Sequence, residues 1–160
     1  MTTSPIDKII NDAKSNLAEK VKTEINTSEE KINQVFDLTK ESYIRLLESE
    51  AGAGHFDEFL KVYNGTATAL SVSQITSLME YFHTKKLRDN LKFSDMEATK
   101  AANIVSPFII KQINSKKSTP AKDIKTLCTQ MGLESCITDL EALKKRWDDL
   151  SPEEKKQFSR

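Results

Sequence analysis

The sequence predicts an all-α protein: an irregular bundle of about seven to nine helices with a proline-kinked helix at its centre. Only 4 Gly and 4 Pro interrupt 160 residues. Apolar residues recur every three to four positions along most of the chain, and no run alternates as a strand would. Each proline follows a hydroxyl residue, at Ser4-Pro5, Ser106-Pro107, Thr119-Pro120 and Ser151-Pro152. A Ser or Thr N-cap followed by proline at the first helical position satisfies an orphan amide and presets φ, so these pairs announce helix starts.

The first helix is expected to open at Ser4-Pro5 with Asp7 in its first turn. A narrow apolar stripe then runs through Ile6, Ile10, Leu17, Val21 and Ile25 on an otherwise polar helix. Thr27 with Glu30 reads as a capping box and permits a break near Asn26, while Ile32, Val35 and Phe36 continue the same stripe. One helix or two are both open here. Tyr43, Ile44, Leu46 and Leu47 precede Ala51-Gly52-Ala53-Gly54, a helix end and turn. Phe56, Phe59, Leu60 and Tyr63 follow helical spacing up to Asn64-Gly65. Ser71 with Gln74, flanked by Leu70 and Ile75, predicts the next start. Phe93-Ser94 with Glu97 repeats that logic.

The helix after Ser94 holds Pro107 inside the most apolar pattern of the chain: Ala98, Ala101, Ala102, Val105, Phe108, Ile109. That register survives the proline, which favours one kinked helix, while Ser106 as the cap of a fresh helix stays open. A helix interior proline costs about 3 kcal/mol. Thr119-Pro120 is expected to open a helix through Ile124, Leu127, Cys128 and Met131 that Gly132 ends. Leu133 to Leu150 follows with Ile137, Leu140, Leu143 and Trp147 inward, and Ser151-Pro152 with Glu154 opens a last short helix. The chain divides into an amphipathic arm (1-36), a central helical core (37-117) and a C-terminal helical hairpin packed on that core (118-160), all within one compact domain.

A chain of this length can bury roughly two thirds of the surface it exposes when unfolded. Its 24 basic and 24 acidic residues balance, so no overall field draws it to nucleic acid or an anionic surface. No run reaches the roughly 20 apolar residues of a membrane span. Two cysteines without a signal sequence fit a reducing, cytoplasmic setting.

His55, His83, Cys128 and Cys136 lack metal-ligand spacing, and the glycine turn at 51-54 lacks the Lys-Ser/Thr of a phosphate loop. No catalytic, cofactor or metal residue is therefore expected. Residues 121 to 148 can be read as a helix-turn-helix, yet Glu134, Asp139 and Glu141 would face phosphates with the wrong charge.

The stretch from Leu87 to Ile113, LRDNLKFSDMEATKAANIVSPFIIKQI, lies behind the short FDEFLKVYNG helix of residues 56 to 65. Together they resemble the YidB-like bacterial domain of unknown function. A Ser/Asp-x-x-Glu-Ala start and an apolar helix with a mid-helix proline carry the likeness, across about a third of the chain. The resemblance implies an all-helical bacterial protein and no activity.

The functional expectation is a non-enzymatic helical protein acting through protein contact or self-association, with Ile6, Ile10, Leu17, Val21 and Ile25 as the contact stripe. A ligand-binding or enzymatic bundle with a pocket at Asn103, Ser106 and Pro107 is the alternative, and a DNA binder the third.

Overall fold

A computed structural model describes residues 4–158; the outermost residues of the arm (1–3) and of the C-terminal hairpin (159–160) lie outside it. Helix α1 (Pro5–Ile25) is capped by Ser4, whose Oγ accepts from the Asp7 amide. Asn26 then turns the chain in the left-handed region at φ 54°, which separates α1 from α2 (Glu29–Asp37). The cap of α2 is Ser28, accepting from the Lys31 amide, one residue beyond the predicted Thr27. Ser and Thr cap almost equally well, and the position of the left-handed turn selects between them.

Helix α3 (Thr39–Gly52) follows α2 with only Leu38 between them. The Gly54 turn leads to α4 (Phe56–Asn64), which Gly65 ends at φ 74°. Helix α5 (Ala69–Leu91) is capped by Thr68, not by Ser71; the Ser71 amide is instead the group that Thr68 satisfies, and Leu70 is left exposed. The reciprocal capping box of Ser94 and Glu97 opens α6 (Asp95–Ile113) as expected. That helix runs unbroken through Pro107. Asn103 and Pro107 are both exposed, so water has access to the side of the helix where proline cannot donate to the Asn103 carbonyl.

The structure corrects the start of α7 (Ile124–Met131). Its cap is Asp123, whose Oδ1 accepts from the Thr126 amide at 2.8 Å, four residues after the predicted Thr119. The segment 119–121 is committed elsewhere: the Thr119 carbonyl accepts from Gln130, and Ala121 pairs through both backbone groups with the Asn64 amide. Gly132 ends α7 in the left-handed region, and a 3₁₀ turn (Glu134–Cys136) precedes α8 (Ile137–Asp148), shortening the expected helix at its N-terminal end. A single turn, α9 (Pro152–Lys155), carries the predicted Ser151/Glu154 capping box.

Helix α6 packs most extensively against α5 and α1, and α3 lies against α5 and α8. Its N-terminal half presents Ala98, Ala101 and Ala102, all fully buried, small side chains that let neighbouring helices approach closely. One contiguous hydrophobic cluster extends from Ile6 to Leu140. The segment expected to be an arm is thus part of the core. Among the described residues no strand occurs and no helix is long and apolar enough to cross a membrane.

Candidate functional site

The five stripe residues of α1 do not form a free surface. Ile6 and Val21 are fully buried, Ile10 and Ile25 nearly so, and Leu17 packs against the same cluster. Periodicity correctly marked a face that needs burying; α6 and α2 chiefly, with α3 and α7, pack against the helix.

The proposed kink pocket also comes apart. Ser106 is buried while Asn103 and Pro107 face solvent, so the three do not line one space. Ser106 meets His83 instead, with Oγ 3.5 Å from Nδ1. His83 Nε2 lies 3.0 Å from the Val35 carbonyl, which can only accept, so Nε2 carries the proton and Nδ1 is the acceptor facing Ser106. Thr39 Oγ1 donates to the same Val35 carbonyl at 3.3 Å. The imidazole therefore links α2, α5 and α6 and helps satisfy a carbonyl at the α2 C-terminus. A serine beside a histidine has the elements of a nucleophile and base, but both side chains are fully buried and the third partner is a peptide carbonyl. Burial pushes the His83 pKa down to about 4, outweighing the Val35 hydrogen bond, which acts in the opposite direction. This is the chemistry of a packed polar contact.

Cysteine chemistry is weak for the same reason. Cys128 is buried, and its thiol is pushed up to about 11, first by burial and then by the nearby Cys136, Glu134 and Glu141. Among the described residues no group of three or more His, Cys, Asp or Glu side chains is placed to hold a metal ion. Helix α8 lies against α3, and Asp139 and Glu141 are exposed on it.

A different surface stands out once the core is assigned. No charged residue occurs between Lys61 and Glu80, although 30% of the chain is charged. Helix α5 carries most of that run and leaves one side uncovered. Leu70 is 69% and Tyr81 59% exposed; eleven positions apart, they lie about three turns along the same face. Ser73 and Ser77 are exposed between them.

Toward its C-terminal end the same helix becomes basic. Lys85, Lys86 and Phe82 line a cleft of about 200 Å³ together with Arg45 of α3, Asp89 and Asn90. Arg45 pairs with Glu48 at 2.8 Å, whereas Lys85 and Lys86 make no ion pair with another described residue.

No family model, curated protein or solved structure matches this chain. Helix α5 is inconspicuous in the sequence because its buried positions, Ile75, Met79, His83 and Leu87, look like an ordinary core stripe. The signal available was the missing charge on the opposite face.

Proposed function

We propose that this chain is a non-enzymatic helical protein that works by contact, and that the exposed face of α5 is its docking surface. The carrying observation is the exposed face from Leu70 to Tyr81, which is uncharged from Leu70 to Ser77, reaches Tyr81 just past Glu80, and continues into the Arg45, Lys85 and Lys86 cleft. A helix face that carries no charge can be covered by a partner without stripping the hydration of an ion. The occupant of matching chemistry is an amphipathic helix. Its apolar anchors would rest on Leu70, Tyr81 and Phe82, with the small Ser73 and Ser77 allowing close approach, and its acidic end would meet Lys85 and Lys86. A YidB-like kinship would be compatible with this reading and would add no chemistry to it.

Site-specific photocrosslinking tests the proposal. With a benzophenone amino acid at Ser77, a discrete adduct is expected in cells that express the protein, and the double charge reversal Lys85→Glu, Lys86→Glu should abolish it. The same group at Asn16, exposed on α1, should give none. Twice the chain mass of 18.1 kDa would identify the partner as a second copy. No adduct at Ser77, or one indifferent to the charge reversal, would overturn the assignment.

A further inference from the structure

A second surface, remote from α5's exposed face in sequence and chemistry, lies where four segments end together. The α6–α7 connector folds back over the C-termini of α4 and α6. Its Lys117 donates from Nζ to the carbonyls of Tyr63 and Ile113, each at 2.7 Å, and to the Ser115 carbonyl at 2.8 Å; Ser115 Oγ is 3.1 Å away. The ammonium also lies 4.4 Å from the centroid of the Tyr63 ring. Gly65 makes this closure possible: a Cβ there would approach the Lys116 nitrogen to 2.6 Å.

Beside Lys117 is a cleft of about 370 Å³. Pro5, Ile9, Ile113 and Met131 give it apolar walls, while Gln112, Ser118, Thr119 and Gln130 supply neutral polar groups. No Asp or Glu lines it. The Tyr63 hydroxyl donates to Gln130 Oε1 at 2.7 Å, and Gln130 Nε2 donates to the Thr119 carbonyl at 2.8 Å. The side chains of Gln112, Ser118 and Thr119 have no hydrogen-bond partner among the described residues, so donors and acceptors are both available to an incoming molecule.

The charge balance selects the class of molecule. Each helix end carries about half an elementary charge, negative at the C-terminus and positive at the N-terminus; the C-terminus of α7 and the N-terminus of α1, which also border the cleft, offset each other, and the ends of α4 and α6 together nearly cancel the single ammonium. The three protons of that ammonium are already directed to three carbonyls. An anion would find no free ammonium proton, and the first turn of α1 already holds Asp7; a cation would meet Lys117 itself. We propose that this cleft binds small neutral molecules that join an apolar body to an amide-like hydrogen-bonding end. The body would rest on Ile9, Ile113 and Met131, and the polar end would bond to Gln112, Ser118 and Thr119.

The test uses three probes of nearly equal shape: 4-hydroxyphenylacetamide, 4-hydroxyphenylacetate and tyramine. Amide-resolved NMR titration of the full chain should show shifts at Gln112, Ser118, Thr119 and Gln130 with the neutral amide, and about tenfold weaker binding of both charged analogues. Ile9→Trp, which fills the cleft from a partly exposed wall position, should remove binding while leaving the rest of the spectrum in place. Lys117→Met leaves two helix ends without their cation and should reverse the preference toward tyramine. Equal binding of the three probes, no shift at these residues, or full binding to the Ile9→Trp protein would overturn the proposal.

Discussion

Acidification should unlock the His83 contact, and the size of the effect follows from its surroundings. His83 has no exposed surface, and desolvation lowers its pKa from an ordinary 6.5 to about 4, despite the opposing hydrogen bond to Val35. Above pH 6.5 the imidazole is neutral in both states, and its full contribution to stability is present. Between pH 6.5 and about 4 the unfolded chain takes up a proton that the folded chain refuses. Stability then falls with falling pH by about 1.4 kcal/mol per unit, approaching a total of about 3 kcal/mol. Below about 4 both states are protonated and this contribution is flat. Against a domain stability of about 5 to 15 kcal/mol, a loss of that size is readily measured.

The assay is urea unfolding followed through Trp147, the single tryptophan, at steps from about pH 7.5 to about pH 4.5. His83→Gln is the comparison, because its amide retains a donor for the Val35 carbonyl and does not titrate. Subtracting the two stability curves removes the contributions of carboxylates and of His55. The difference should be flat above pH 6.5 and slope toward about 3 kcal/mol below it. Parallel curves for the two proteins would refute the account of a histidine held neutral by burial.

Four further substitutions probe the packing. Tyr43 is fully buried and its hydroxyl has no partner among the described groups, so Tyr43→Phe should be neutral or stabilise by up to about 1 to 3 kcal/mol in urea melts; a loss beyond about 1 kcal/mol would show that the hydroxyl is bonded. Gly54 has φ +77°, and a Cβ there would overlap the Trp147 indole. Gly54→Ala should therefore cost about 2 kcal/mol or more and change the tryptophan emission, while Gly52→Ala, whose Cβ would meet Leu143 at an ordinary 3.8 Å, should be neutral or mildly stabilising. Pro107→Ala restores a donor for the Asn103 carbonyl and should raise the denaturation midpoint by the equivalent of about 1 to 3 kcal/mol; destabilisation would mean that packing against α6 requires the proline.

The helical class was readable because it follows from period, length and the scarcity of Gly and Pro. Exact starts were readable where a cap had no rival. Ser4, Ser94 and Ser151 each cap as the sequence predicts. Thr27 and Ser71 each had a hydroxyl competitor within three residues, and the backbone path chose Ser28 and Thr68. Thr119-Pro120 lost its helix to contacts distant in sequence: Asn64 holds Ala121 from 57 residues away, and Gln130 holds the Thr119 carbonyl. Local capping chemistry contains no information about either partner. The Ser106–His83 contact was illegible for the same reason, since 23 residues separate two side chains that meet only when α5 and α6 pack.

That the proposed docking surface lies on α5 and not on α1 has a more general physical basis. An apolar stripe reports that one face must leave water, and α1 satisfies that requirement within its own chain, chiefly against α6. Nothing in the stripe distinguishes an internal neighbour from an external one. The opposite face carries the more discriminating signal. A solvated helix face normally bears charge, as α1 does at Lys8, Asp12, Glu19 and Lys20, and such a face resists the desolvation that a partner would impose. From Leu70 to Ser77 the outer side of α5 lacks that protection, so covering it removes apolar area from water without stripping the hydration of an ion. Lys85 and Lys86 then lie at the edge, where charge can steer and orient a partner while keeping much of its solvent. The contact reading follows from that order of groups along one helix, uncharged first and basic after, and not from amphipathicity alone.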